Sequence, residues 1–210
     1  KGYNKYVNPS IANVFATATL RFGHTLINPF LLRLNETYQP SNKFSSHLPL
    51  KNAFFAPHLL VEEGGIDPLL RGLLFSPEKL PKSHEIVNSQ LTEHLFEKGK
   101  EVSLDLAAIN IQRGRDHGLP GYNKWREFCN LTIGKTFEDL KNEIKNQTIR
   151  NKLKILYGHP DNIDIWVGGV IEDVIDEAKI GPTFSCLLIE QFKRLRDGDR
   201  LWYEVRLNSL

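Results

Sequence analysis

From Ser10 to Leu26 the chain runs almost without charge, and Ile11, Val14, Phe15, Ala18, Phe22 and Leu26 recur at helical spacing until Asn28-Pro29 ends the run. Such a pattern predicts a helix from Ser10 to about Ile27 that is apolar on nearly every face. Helices of this kind lie inside a protein and need other elements packed around them. Ser10 is placed to cap it, and its two ionisable residues, Arg21 and His24, need partners when buried. A second run, from Val102 to about Ile111, has the same character and ends in polar groups at Asn110, Arg113 and Arg115. The helical period dominates elsewhere too, with no internal repeat and no alternating strand longer than four residues. The expected fold is mainly α, a matched pair of buried helices among about six helices joined by long loops.

The remaining elements are marked by punctuation. Pro40–Pro57 and Glu62–Pro81 are rich in Pro, Gly, Ser and Asn and read as loop with short helical pieces. Ser83 can cap a helix carrying Ile86, Leu91 and Leu95. Thr136 with Asp139 resembles a capping box and opens an amphipathic helix with Phe137, Leu140 and Ile144, extending to Asn146. Another helix is expected from Thr148 to Tyr157, stopped by Gly158, and a last one between Gly181-Pro182 and Asp197-Gly198-Asp199. Ile163–Val170 reads as a short strand limited by Gly168-Gly169.

Composition narrows the class. With 40% hydrophobic residues, 12 Phe and 3 Trp in 210 residues, the chain can build a sizeable core and is neither disordered nor collagenous. Its 27 Lys+Arg against 25 Asp+Glu give a net charge of +2, which argues against a nucleic-acid partner. No apolar run approaches the roughly 20 residues that span a bilayer. Lys1–Asn8 contains no apolar stretch, so an export signal, if the protein has one, is expected before Lys1. Three sequons, at Asn35, Asn130 and Asn146, exceed the about one expected by chance and favour the secretory route. Cys129 and Cys186 are too few and too far apart for a disulfide scaffold or a CxxC site, which leaves one disulfide or two buried thiols.

Candidate chemistry is sparse. The sequence lacks HExxH, GxSxG, GxxxxGK[ST] and any Cys/His cluster. His58, His117 and His159 stand beside Pro or Gly and read as surface or turn histidines. His24 differs, because an imidazole in the middle of an apolar helix, one turn from a guanidinium, suits an axial haem ligand beside a propionate partner. The alternative is a core histidine bonded to a carbonyl. A metal-bound histidine donates its other N–H to a neighbouring acceptor, and Asn110 is suitable, or else is simply an amide capping a helix end.

Four segments carry a resemblance: Leu20-Arg21-Phe22-Gly23-His24-Thr25-Leu26, Glu63 to Gly72 (EGGIDPLLRG), Leu104 to Gly118 (LDLAAINIQRGRDHG) and Leu195 to Glu204 (LRDGDRLWYE). In order and spacing they resemble the animal haem peroxidase superfamily, with its peroxidasin branch nearest. The resemblance implies that residues 1–204 are the proximal half of such a domain and that 205–210 form a divergent tail. It implies haem b, with His24 as the proximal axial ligand, Asn110 accepting its N–H, and Arg21 and Arg113 on the propionate side. It also implies a Cys129–Cys186 disulfide. Calcium belongs to the family, but its ligands are expected outside this chain, as are the distal histidine and arginine. The implied activity is hydrogen-peroxide-dependent oxidation of a halide or small organic donor, in an extracellular protein that needs the distal half of its domain and can meet matrix proteins. The alternative is a catalytically inactive peroxidase-like matrix or adhesion module.

Overall fold

Nine α-helices form among the residues described by the computed structural model, which are 2–41, 43–82, 85–97 and 102–204. They are α1 (Leu50–Ala53), α2 (His58–Glu62), α3 (Asp67–Phe75), α4 (Ser89–Thr92), α5 (Leu106–Asp116), α6 (Tyr122–Phe128), α7 (Gln147–Tyr157), α8 (Ile165–Ile171) and α9 (Pro182–Gly198). The protein is mainly α, with more and shorter helices than the six expected. Two compact units divide it: residues 1–22 with 110–210, and residues 23–109.

In the first unit, local signals and packing agree at α7 and α9. Asn146 Oδ1 accepts from the amides of Thr148 and Ile149 at the start of α7, and Gly158 ends the helix at φ 70°, where a glycine carries no Cβ penalty. Pro182 opens α9, whose Phe184, Leu187 and Gln191 are buried. The π-helical turn Phe15–Thr19 packs on α8 and α9, and α6 packs on α8. Gly168 and Gly169 make the α8 approaches possible. A Cβ at Gly168 would lie 2.4 Å from the Tyr122 ring, and one at Gly169 would lie 2.2 Å from the Phe184 ring. This corrects the expected strand at Ile163–Val170: the glycine pair is a contact surface on a helix, not the limit of a strand.

Other local expectations change in extent. The Thr136/Asp139 capping box forms, with Thr136 N donating to Asp139 Oδ2 at 2.8 Å and Asp139 N donating to Thr136 Oγ1 at 3.3 Å. Only a 3-10 turn, Asp139–Asn142, comes after it, although Phe137, Leu140 and Ile144 are all buried. The first apolar run is helical, but it begins after Ser10 and passes from the π turn into a 3-10 helix, Leu20–Leu26. Ser10 does not cap it; buried Gln191 of α9 accepts from the Ala12 amide at 2.7 Å. Side chains also share the backbone acceptors of the run, since Arg21 Nε donates to the Ala16 carbonyl and Trp166 Nε1 to the Arg21 carbonyl, both at 3.3 Å. Helices leave the α period where side chains enter the ladder in this way.

The second unit contains the one sheet among the described residues. β1 (Phe30–Leu32) pairs antiparallel with β2 (His47–Pro49), Leu31 opposite Leu48. These strands are too short for the alternation that marks a strand in sequence. α3 packs on β1 closely enough that a Cβ on Gly72 would meet the Leu32 carbonyl at 2.0 Å. Arg33 of this unit is buried and pairs with Glu63. Ser83 lies outside the described residues, as does the tail 205–210; Asn88 is the residue that caps α4, its Oδ1 accepting from the Gln90 amide at 3.0 Å. α5 starts at Leu106, not Val102, because Asp105 Oδ1 accepts from the Ala107 and Ala108 amides.

Candidate functional site

Arg21 occupies the 3-10 helix Leu20–Leu26, half-buried, three residues before His24. In a 3-10 helix residues i and i+3 eclipse, so the two side chains share one helix face. His24 is half-buried. Asn110 lies in the middle of α5 and is fully buried, so it caps neither end of that helix. Arg113, one turn further along α5, is exposed.

The structure brings Arg21, Asn110 and Arg113 together. Arg21 Nη1 donates to Asn110 Oδ1 at 3.4 Å. Partial burial, and then the like charge of Arg113, hold the Arg21 guanidinium below its ordinary value. Among the described residues neither arginine forms an ion pair with a carboxylate. Two neighbouring guanidiniums with no acid to neutralise them favour an anion, and the planar fork of each matches a carboxylate. Among the described residues no group of three or more His, Cys, Asp or Glu could hold a metal ion.

Cys129, at the end of α6, and Cys186, in α9, are bridged with Cα atoms 6.1 Å apart across 57 residues of sequence. The two-thiol alternative is thereby excluded. Asn35 is exposed and its Oδ1 accepts from the Thr37 amide and hydroxyl and from the Gln39 amide, a tight polar turn. Asn130 is exposed at φ 55°, while half-buried Asn146 is the α7 cap. His159 is a turn residue, its Nδ1 accepting from the Asp161 amide. His58 is exposed at the start of α2. His117 does more than sit in a turn, because its Nδ1 lies 2.8 Å from Asn13 Oδ1 and ties the end of α5 to the first apolar run.

Sequence reasoning missed the buried polar cluster of the first unit. Arg126 on α6 pairs with Glu172 and, at 3.0 Å, with Glu143. Tyr122 OH donates to Glu172 Oε1 at 2.6 Å, and the Thr183 amide and hydroxyl each donate to that carboxylate at 2.8 Å. Burial first, and the Glu172 carboxylate next, push the Tyr122 phenol up. No local signal could reveal this, since apart from Tyr122, one turn away, the partners Glu143, Glu172 and Thr183 lie 17, 46 and 57 residues from Arg126. It also missed Trp166, buried on α8 and bonded to Arg21.

Comparison with known proteins places this geometry. A family model described as animal haem peroxidase matches residues 1–209. Peroxidasin of Drosophila melanogaster is 61% identical over 204 residues, covering 97% of this chain and 13% of that protein. Thyroid peroxidase of Sus scrofa is 50% identical over 204 residues, covering 97% of this chain and 22% of that protein. Among solved structures, peroxidase A from Dictyostelium discoideum superposes with a TM-score of 0.85 at 38% identity, over 98% of this chain and 38% of that one. The chain thus spans less than a quarter of the curated relatives it matches.

Proposed function

We propose, since the chain belongs to the animal haem peroxidase family, that it forms the proximal, haem-holding side of a peroxidase domain in which hydrogen peroxide oxidises a halide or small organic donor. The observation that carries this reading is the pair of guanidiniums, Arg21 and Arg113, gathered beside buried Asn110 without a carboxylate partner among the described residues. Haem b fits that donor set, because its propionates supply the missing carboxylates. When bound, haem supplies the redox chemistry.

The chain's residues supply the rest. His24 would hold the haem iron through one ring nitrogen, and Asn110 would accept the N–H of the other. A neutral amide pulls that proton less than a carboxylate would, so the imidazole stays a weaker electron donor and the ferric state is less favoured. A higher potential suits halides and phenols. Arg21 and Arg113 each offer a fork of donors to a propionate. The proton movement that breaks the peroxide bond needs a base and a cation, which we place, with the calcium ligands, in the remainder of the domain. The Cys129–Cys186 bridge and the exposed sequons at Asn35 and Asn130 support an extracellular setting, where matrix proteins are available as partners.

The test is haem affinity of the full-length apoprotein, titrated with haemin. Arg21→Gln and Arg113→Gln should each weaken binding roughly ten-fold, the worth of a charge-assisted hydrogen bond. Affinities equal to the unsubstituted protein's would contradict the assignment.

A further inference from the structure

The placement of Arg21 poses a physical problem. Its guanidinium is partly desolvated beside Arg113, and like charges at such a site repel. Its direct tethers are long, 3.4 Å to Asn110 Oδ1 and 3.3 Å to the Ala16 carbonyl. Something else must hold the Arg21 segment near α5 when no anion is bound.

We propose that Asp164 and Trp166, at the start of α8, are positioning residues that clamp Arg21 to the α5 face carrying Asn110 and Arg113. Trp166 is 4% exposed, and its indole N–H donates to the Arg21 carbonyl. Two residues earlier, Asp164 receives Arg115 of α5 in a two-point contact, Nε to Oδ1 at 3.0 Å and Nη2 to Oδ2 at 2.7 Å. Tyr157 OH donates to the same Oδ2 at 2.9 Å, which fixes the carboxylate from a third direction. Arg115 is two residues past Arg113. One three-residue stretch therefore grips the backbone of one propionate-side arginine and the helix that bears the other. All of these groups lie in the first unit. The clamp works without touching the ligand: it holds the two guanidiniums at a separation that an anion can bridge, against their repulsion. It rests on the haem reading above and adds two residues to it.

The experiment is a double-mutant cycle in the full-length, haem-loaded protein, read by the rate of haem transfer to apomyoglobin and by the resonance Raman bands of the propionates. Trp166→Phe removes the N–H and keeps most of the ring. It should speed haem loss about five-fold, the worth of one hydrogen bond, and shift the propionate bands. In an Arg21→Gln background the same substitution should add nothing, because the residue it positions is gone. Asp164→Asn should behave likewise and serves in its place if Trp166→Phe does not fold. Haem loss unaltered by Trp166→Phe or Asp164→Asn, or equally accelerated with and without Arg21, overturns the clamp while Arg21→Gln alone still speeds haem loss. If Arg21→Gln also leaves haem loss unchanged, the propionate assignment falls, and the clamp with it.

Discussion

Arg126 is a guanidinium at 3% exposure, faced by Glu172 and Glu143, with the Thr132 carbonyl accepting from its Nε. Removing one partner of such a pair leaves the other charge buried and unpaired. Glu172→Gln should lower unfolding free energy by about 3–5 kcal/mol, measured by urea denaturation. Tyr122 in the same cluster gives a pH dependence. Its phenol is raised in the folded state above the ordinary 10.0, so the unfolded chain releases this proton first as pH rises. The stability it contributes is complete below about pH 10 and is lost above it. Tyr122→Phe should flatten that alkaline decline in denaturation midpoints taken across pH 9–11. At Asn110 the proposed pairing with His24 predicts an electronic effect: Asn110→Asp should lower the ferric/ferrous potential in spectroelectrochemistry, because a carboxylate would draw the His24 proton more strongly. The new charge would also face Arg21, 3.4 Å from the present amide oxygen, and compete for it with a propionate.

Elements were legible where their ends carry their own chemistry. Gly181-Pro182 and Asp197-Gly198-Asp199 bracket α9, and Asn146 and Gly158 bracket α7, because caps and stops act over four residues. The capping box at Thr136 was readable for the same reason, but not the length of the helical segment it opens, which tertiary packing of Leu140 and Ile144 decides. α8 was not readable as a helix: Gly168-Gly169 serves rings on α6 and α9 that local sequence cannot place. Gly168→Ala should accordingly cost about 1–3 kcal/mol by overpacking against Tyr122, seen as a lower melting temperature. The candidate site divides along the same line. His24 and Arg21 stand out as ionisable residues in an apolar run, whereas Trp166 and Asp164 carry no mark until the chain folds. Between α6 and α9, the Cys129–Cys186 bridge closes a loop of 57 residues and should contribute about 4 kcal/mol in the chain-entropy model. Replacing both cysteines by alanine and measuring the loss in urea checks that figure.

At the scale of the molecule, apolar side chains stand exposed on more than one helix. Only Asn110 and Gly114 of α5 are buried, and Leu73, Leu74 and Phe75 of α3 stand more than 60% exposed. Apolar surface of this extent normally meets a partner surface. The 210-residue chain expressed alone should therefore aggregate or bind chaperones and show no significant peroxidase turnover, which size-exclusion chromatography and guaiacol or bromide oxidation would test. In the proposed function a single imidazole, that of His24, holds the haem. The direct measurement is the Soret spectrum of the full-length protein carrying His24→Ala, with and without added imidazole. The band should be lost or strongly shifted, and imidazole should restore it by occupying the vacated axial position. A spectrum unchanged by the substitution would contradict the account.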